Sequence, residues 1–394
     1  MKKDENIICI SSIDWDFIKQ GHQIIMSRYA RDGARVLFIE NMGVRPPTFR
    51  DLPRLKKRLI SWVKSVKGVR KVCDNLYVYS PLILPFPYSS VARLINRYLL
   101  TRFLDNWVRS MNFGEPIIWT FLPTWNAIDI VRHIDYKTLI YYCIDNFSTS
   151  SLSAKRIVKS EREMIKNADL VFTTSQQLYD YCKNYNSQVY KFPFGIDDNI
   201  FINQESPGNI PSDISHIKKP VAGYVGGIHK WVDMELIKAC AQALPQFSFV
   251  FVGPIQRDIS ELRNLKNIFF LGTKRAETLP WYISSFDTAI IPYKVTPYTQ
   301  NVYPTKMNEY LAIGKAVVST HLPEVINFNK KNSCVISVCS STQEFINALK
   351  KSVVAQSKDQ IERRVEVAHR NTWSEKINSM DRLISQSIEK RKKD

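Results

Sequence analysis

Apolar residues along this chain come in short β-branched runs separated by longer amphipathic stretches. Asn6 to Ser12, Arg35 to Glu40, Ile117 to Phe121, Thr138 to Asp145 and Leu170 to Ser175 are such runs. An apolar run bounded by turn residues marks a strand buried on both faces, and the stretches between are long enough for crossover helices. The pattern predicts βα units around a parallel sheet. It stops after Gly195: residues 203–219 contain Pro207, Gly208, Pro211, Ser212 and Asp213 without apolar periodicity, and are the expected linker. A second series follows with Val221 to Gly226, Ser248 to Gly253, Ile268 to Gly272, Thr288 to Tyr293, Ala316 to His321 and Cys334 to Val338. The expectation is an α/β chain of two Rossmann-like domains facing a cleft, 1–202 and 220–372, with 373–394 returning as a helix to the first. Ligands of open parallel sheets bind beyond the carboxyl ends of the strands, so the loops there carry the candidate chemistry.

Length and composition agree with that reading and add a charge. The 394 residues are 44% hydrophobic and 23% charged, enough for two cores. Lysine and arginine number 55 against 37 acids, a formal net charge of +18, which favours an anionic partner: nucleic acid, a membrane surface or a phosphorylated ligand. None of the compact RNA-binding or zinc-finger signatures is present, so no nucleic-acid partner is expected. No apolar run approaches the roughly 18 residues that span a bilayer. The start of the chain has too short an apolar stretch for a secretory signal, so a cytoplasmic location is expected. The seven cysteines are dispersed without C-x-x-C spacing and read as buried thiols.

Two stretches carry chemistry on spacing alone. Tyr303 to Thr320 reads as loop, short helix, turn and buried strand, with Pro304 in the first helical turn and Gly314 at the stop. There the first N–H groups and the Lys306 ammonium can meet a phosphate, and the carboxylate of Glu309, on the same face, can accept from two vicinal sugar hydroxyls. An exposed Lys306–Glu309 pair on a surface helix fits the same spacing equally well. Arg50 to Lys71 has nine basic residues against Asp51 alone. Leu55, Leu59, Trp62, Val63 and Val66 share one helical face there, and Lys56, Lys57, Lys64 and Lys67 supply charge, as in a helix lying on an anionic membrane; a core-packed helix with a basic outer face is the alternative. Tyr88 to Met111, with Arg93, Arg97, Arg102 and Arg109, extends that amphipathic character.

The Tyr303 to Thr320 segment resembles the donor-binding element of GT-B glycosyltransferases, especially family 4, whose helix reads E-x-M-A-x-G-x-P-V-V. Its P-x-K-x-x-E-Y-L-A-x-G form matches a polysaccharide-assembly subset that includes teichuronic-acid-type enzymes. The resemblance implies Glu309 on the nucleotide ribose, with Thr305 and Lys306 beside the donor. It also implies a diphosphate loop at Gly226 and Gly227 with Lys230 as cation and His229 assisting, and a base pocket at Thr273 and Lys274. Two departures stand out: Asn301 replaces a second glutamate, and Ile144-Asp145 replaces a common His-Asp. The implied function is transfer of a sugar from a nucleotide sugar, UDP- or GDP-linked, to a lipid-linked or membrane-anchored glycan in surface polysaccharide assembly. The expected mechanism is retaining, with no metal and no cofactor beyond the co-substrate, on the inner face of the cell membrane. An inverting course would need a carboxylate base, for which Asp14, Asp16 and Asp145 are the candidates. Asp14 and Asp16 also form an Asp-x-Asp that invites a metal-binding GT-A reading, which one domain of that kind does not reconcile with two Rossmann-like series; helix capping is their other reading, and His22 reads as a polar helix residue. A GT-B-like epimerase or phosphorylase, or a non-catalytic assembly subunit, would share the donor half.

Overall fold

The computed structural model describes residues 5–17, 19–43, 68–86, 88–146, 156–202, 210–354 and 356–392. They form two compact α/β units, Met1–Pro193 with Ile377–Asp394, and Phe194–Lys376. The expected linker thus falls inside the second unit, where Ser212–Ser215 makes a helical turn with Ile214 buried. Lys56, Lys57, Trp62, Lys64 and Lys67 lie outside the described residues.

The first unit is one eight-stranded sheet: β1 (Asn6–Ile10), β2 (Arg35–Ile39), β3 (Val69–Cys73), β4 (Leu76–Tyr79), β5 (Ile117–Thr120), β6 (Thr138–Cys143), β7 (Leu170–Thr173) and β8 (Val189–Lys191). Their order is β3-β4-β2-β1-β5-β6-β7-β8, parallel throughout except at β3/β4. β1, β5 and β6 are wholly buried, as strands covered on both faces by crossover helices must be. The β3–β4 hairpin escaped the apolar pattern because β3, Val-Arg-Lys-Val-Cys, is a largely exposed edge strand. The helix Trp373–Arg391 buries Ile377, Met380 and Ile384 at i, i+3 and i+7. In this unit Asp381 accepts from the Tyr29 hydroxyl at 3.0 Å, and Arg391 reaches Asp169 at 2.8 Å.

The second unit holds β9 (Val221–Val225), β10 (Ser248–Val252), β11 (Ile268–Gly272), β12 (Thr288–Ile291), β13 (Ala316–Thr320) and β14 (Ile336–Cys339) in the order β11-β10-β9-β12-β13-β14, all parallel. Counted from its own first strand this is 3-2-1-4-5-6, so the chain reverses its direction of winding between β9 and β12. Five of the seven cysteines are buried; Cys73 and Cys334 are exposed, against expectation. The first sits on the edge strand, the second in a turn where Ser333 and Cys334 both have positive φ. No helix among the described residues is long and apolar enough to cross a membrane.

Candidate functional site

In the second unit the reversal point is opened by the sheet itself. β12 pairs with β9 only at Thr288↔Ala222 and Ala289↔Gly223, after which the two strands part. The Tyr310 hydroxyl, from the helix Lys306–Ala312, accepts the Val225 N–H at 2.8 Å and so satisfies a strand-end donor. The same helix carries Lys306 into the space between the strands. Its side chain is only 9% exposed, its Nζ donates to the Tyr293 hydroxyl, and it lies 4.8 Å and 5.1 Å from the ring centroids of Tyr293 and Tyr224. Among the described residues it makes no ion pair with a carboxylate. Ring faces and one phenol oxygen compensate part of the ammonium's lost hydration, but a buried cation without a direct ion pair remains costly and therefore attracts an anion.

The loop after β9 is shaped around this lysine. Gly226 has φ +135°, and a Cβ there would lie 3.3 Å from Lys306 Cε and 3.4 Å from its Nζ. Gly253, after β10, has φ +151°, and its Cβ would stand 2.1 Å from the Gly226 carbonyl oxygen, so backbone packs on backbone where no side chain fits. Beyond the glycines the loop zips onto the segment after β12: Asp233 N–H donates to Pro292 O at 2.7 Å and Lys294 N–H to Trp231 O at 2.8 Å. Asp233 then caps the helix Met234–Ala243. His229 stacks on Trp231 at 4.0 Å between ring centroids, and Trp231 lies 5.4 Å from Tyr298. Desolvation, then the Lys306 charge, lowers the His229 pKa below the usual imidazole value, which favours the neutral ring.

Glu309 is partly exposed one turn beyond Lys306. Desolvation raises its carboxyl pKa and the Lys306 charge pulls it back. Of the two arrangements the spacing allowed, the exposed surface pair is not the one found: Lys306 is buried. The helix contributes less through free N–H groups than its sequence suggested, since Met307 N and Asn308 N already donate to Pro304 O and Thr305 O at 3.1 and 3.0 Å. Thr305 is the residue ahead of this helix, without a side-chain capping bond. The Asn308 amide donates to the Tyr303 hydroxyl at 2.9 Å, and its buried Oδ1 has no partner among the described residues. Asn301 donates to Pro297 O at 2.8 Å.

The structure thus brings Gly226, Gly227, His229, Lys306 and Glu309 together, with Lys230 exposed on the same loop. Thr273 and Lys274 follow β11, two strands from β9, roughly 10 Å across the sheet. Lys274 is held there by Asp213 at 2.6 Å, which also accepts from the Tyr282 hydroxyl at 2.9 Å.

The first unit has its own reversal point, between β1 and β5, and its polar groups are arranged differently. Asp16 pairs with Arg70 at 3.0 Å, and Arg70 also lies 3.8 Å from buried Glu40. Glu40 accepts from Trp15 N at 2.9 Å and from the Ser80 hydroxyl at 2.5 Å. Neither Asp14 nor Asp16 caps the following helix, Gly21–Arg31; Gln20 precedes it, its N–H bonded to Gln23 Oε1 at 2.9 Å. His22 lies on that helix as expected and is fully buried, 3.9 Å from Phe121 between ring centroids and 3.0 Å from the Ser12 hydroxyl through Nε2, and burial lowers its pKa to about 3. Asp145, after β6, accepts from Asn146 N at 2.8 Å. Its charge adds to the desolvation that raises the pKa of buried Glu161 to about 7, against the Tyr141 hydroxyl, which donates to that carboxyl at 2.9 Å.

Tyr293 and Trp231 are the residues that sequence reasoning passed over. Tyr293 follows Ile-Ile-Pro at the carboxyl end of a buried strand, where ligand loops of a parallel sheet begin, and that position was the available signal.

Comparison with known proteins follows this geometry. Residues 219–353 match the family described as glycosyl transferases group 1. Over 310 residues, 73% of this chain and 77% of the relative, the sequence is 27% identical to TuaH of Bacillus subtilis (strain 168), named as a candidate glycosyltransferase of teichuronic acid biosynthesis. Among solved structures, sucrose-phosphate synthase from Thermosynechococcus elongatus superposes with a TM-score of 0.70 at 15% identity, covering 97% of this chain and 98% of its own. Anabaena HepE, solved in complex with UDP, gives 0.64 at 16% identity over 97% and 100%.

Proposed function

We propose that the chain is a glycosyltransferase of GT-B fold whose second unit binds a nucleoside-diphosphate sugar through Lys306 and delivers the sugar to a membrane-anchored glycan in polysaccharide biosynthesis. The observation that carries this reading is the Lys306 ammonium, buried between Tyr224 and Tyr293 without an ion pair among the described residues, at the reversal point of a parallel sheet. A diphosphate supplies the missing counter-charge, and the sheet topology favours a nucleotide there. Glu309, one turn on, suits the ribose hydroxyls. HepE, which shares the fold, was solved with UDP, and TuaH is named for polysaccharide assembly; UDP is accordingly the first nucleotide to test.

In the reaction the bond between the sugar's anomeric carbon and the diphosphate oxygen breaks, and a bond from that carbon to an acceptor hydroxyl oxygen forms. The hydroxyl proton passes to the departing phosphate, on the same face, which retains configuration. Negative charge grows on the diphosphate as the bond breaks, and a preorganised Lys306 stabilises that charge more than the ground state. Gly226 admits the phosphates close to the backbone, Gly227 and Lys230 flank them, and His229 lies beside them as a neutral donor. Thr273 and Lys274 are assigned to the base end. No metal is needed in this scheme. Asp14, Asp16 and Asp145 belong to the acceptor side, at the membrane's inner face.

Nucleotide release from UDP- and GDP-sugars, with and without a lipid-linked acceptor and after exhaustive EDTA treatment, tests the reading. Acceptor-dependent release that survives EDTA is expected. Complete loss with EDTA, restored by magnesium or manganese, contradicts the metal-free scheme, and binding of no nucleoside diphosphate contradicts the whole reading.

A further inference from the structure

Exposed apolar residues in this protein are concentrated. Of the fifteen large hydrophobic side chains exposed among the described residues, eight fall between residues 82 and 99. Leu82, Leu84 and Phe86 stand on the segment leaving β4, at 51%, 39% and 53% exposure. The helix Ser90–Ser110 follows, and buries Ala92, Asn96, Leu100 and Leu104, a four-residue stripe, against its own unit. Its opposite stripe, Val91, Leu94, Ile95 and Tyr98 at i, i+3, i+4 and i+7, faces outward. The segment and the helix form one surface, because Asn96 clamps the loop: its Oδ1 accepts from Leu84 N at 2.7 Å and its Nδ2 donates to Leu84 O at 3.0 Å.

The charge around this surface has one sign. One turn beyond Tyr98 the same stripe continues as Arg102, then Arg109, while Arg97 is exposed on the flank. Arg102 donates to the Tyr98 hydroxyl at 2.7 Å and lies over its ring. The helix's single acid, Asp105, is engaged by His133 at 2.8 Å. An aliphatic and aromatic end that grades into arginines without an ion pair among the described residues matches the layering of a lipid interface, acyl chains below and anionic headgroups above. We infer that the 82–86 segment and the outward face of the helix Ser90–Ser110 dock the protein on an anionic lipid bilayer.

This inference deepens the proposed membrane-anchored acceptor and rests on that reading for its purpose, but its test needs no nucleotide. The experiment is flotation of the full-length protein with vesicles of phosphatidylglycerol and phosphatidylcholine, and with phosphatidylcholine alone, at physiological salt. Two double variants, Leu94→Glu with Ile95→Glu and Leu84→Asn with Phe86→Ser, are compared with Ile210→Glu, an equally exposed site in the second unit. Binding to the anionic vesicles is expected, reduced by about tenfold or more in each face variant and unchanged in Ile210→Glu, with UDP affinity intact in all. Absence of wild-type binding overturns the proposal. So does binding that survives both face variants, since another basic stretch would then account for it. A concentration-dependent dimer that Leu94→Glu dissolves, without effect on vesicles, overturns it in favour of a second copy of this chain.

Discussion

The two units have the same kind of reversal point and equip it in opposite ways. Between β9 and β12 the second unit ends its first strand in glycine, lets backbone touch backbone, and places a buried cation that makes no ion pair among the described residues, with the Glu309 carboxylate one turn away. Between β1 and β5 the first unit ends its strand in serines, the Ser11 hydroxyl accepting from Ile13 N at 3.1 Å, with a neutral buried imidazole and Asp16 paired to Arg70. One site is short of an anion; the other has its charges compensated internally. The difference teaches that a shared sheet topology supplies a location, while the chemistry depends on which charges the neighbouring loops leave uncompensated.

The largest effect should come from closing the glycine contact. Gly253→Ala places a methyl against the Gly226 carbonyl in a backbone region strained for alanine, and should cost on the order of 4 kcal/mol, read as a shift in urea midpoint. A loss below about 1 kcal/mol would mean that the loop relaxes and the close packing is incidental. In the first unit, Glu161 titrates at about 7 when folded, against an ordinary value near 4.5. Because the folded pKa is the higher one, its contribution is full below pH 4.5 and is lost as pH rises through 7, a span worth about 3 kcal/mol. Glu161→Gln removes that component, so the difference in unfolding free energy between wild type and variant should decline by this amount from pH 4.5 to 7.5; a constant difference would remove Glu161 from the account.

Smaller effects bear on the site directly. Glu309→Gln keeps shape but removes the charge that strengthens hydrogen bonds to hydroxyls, so nucleotide affinity and transfer should fall together by about 10- to 150-fold, or 1.5–3 kcal/mol. Unchanged affinity in a folded variant would detach Glu309 from the ribose. The smallest expected change is from Arg70→Ala, which breaks a half-exposed pair and should cost under about 1 kcal/mol of stability with nucleotide affinity untouched, checked by melting and titration in parallel. Weakened nucleotide binding in that variant would blur the contrast between the two reversal points.

Much of the fold was legible because parallel strands buried on both faces leave continuous apolar runs, and Val221 to Val225 or Thr288 to Ile291 need no tertiary information to be read as strands. β3 and β8 were not legible, being short or exposed at the sheet edge. At the site, spacing singled out Lys306 and Glu309 but left a surface ion pair equally open, because burial of Lys306 depends on Tyr224 and Tyr293, eighty-two and thirteen residues away in sequence. Asp16 carried no sign of its partner for the same reason: Arg70 reaches it from an edge strand that follows a long intervening segment.

The central claim is that the buried ammonium of Lys306, which makes no ion pair among the described residues, is what binds the diphosphate. Calorimetric titration of wild type and Lys306→Ala, with whichever of UDP, GDP and ADP binds most tightly and with the matching nucleoside, tests it most directly. Truncating one partner of a buried charge pair costs about 2–5 kcal/mol, so diphosphate affinity should fall about 30-fold or more while nucleoside affinity stays within about twofold. Equal losses for both ligands, or no loss for either, would contradict the account.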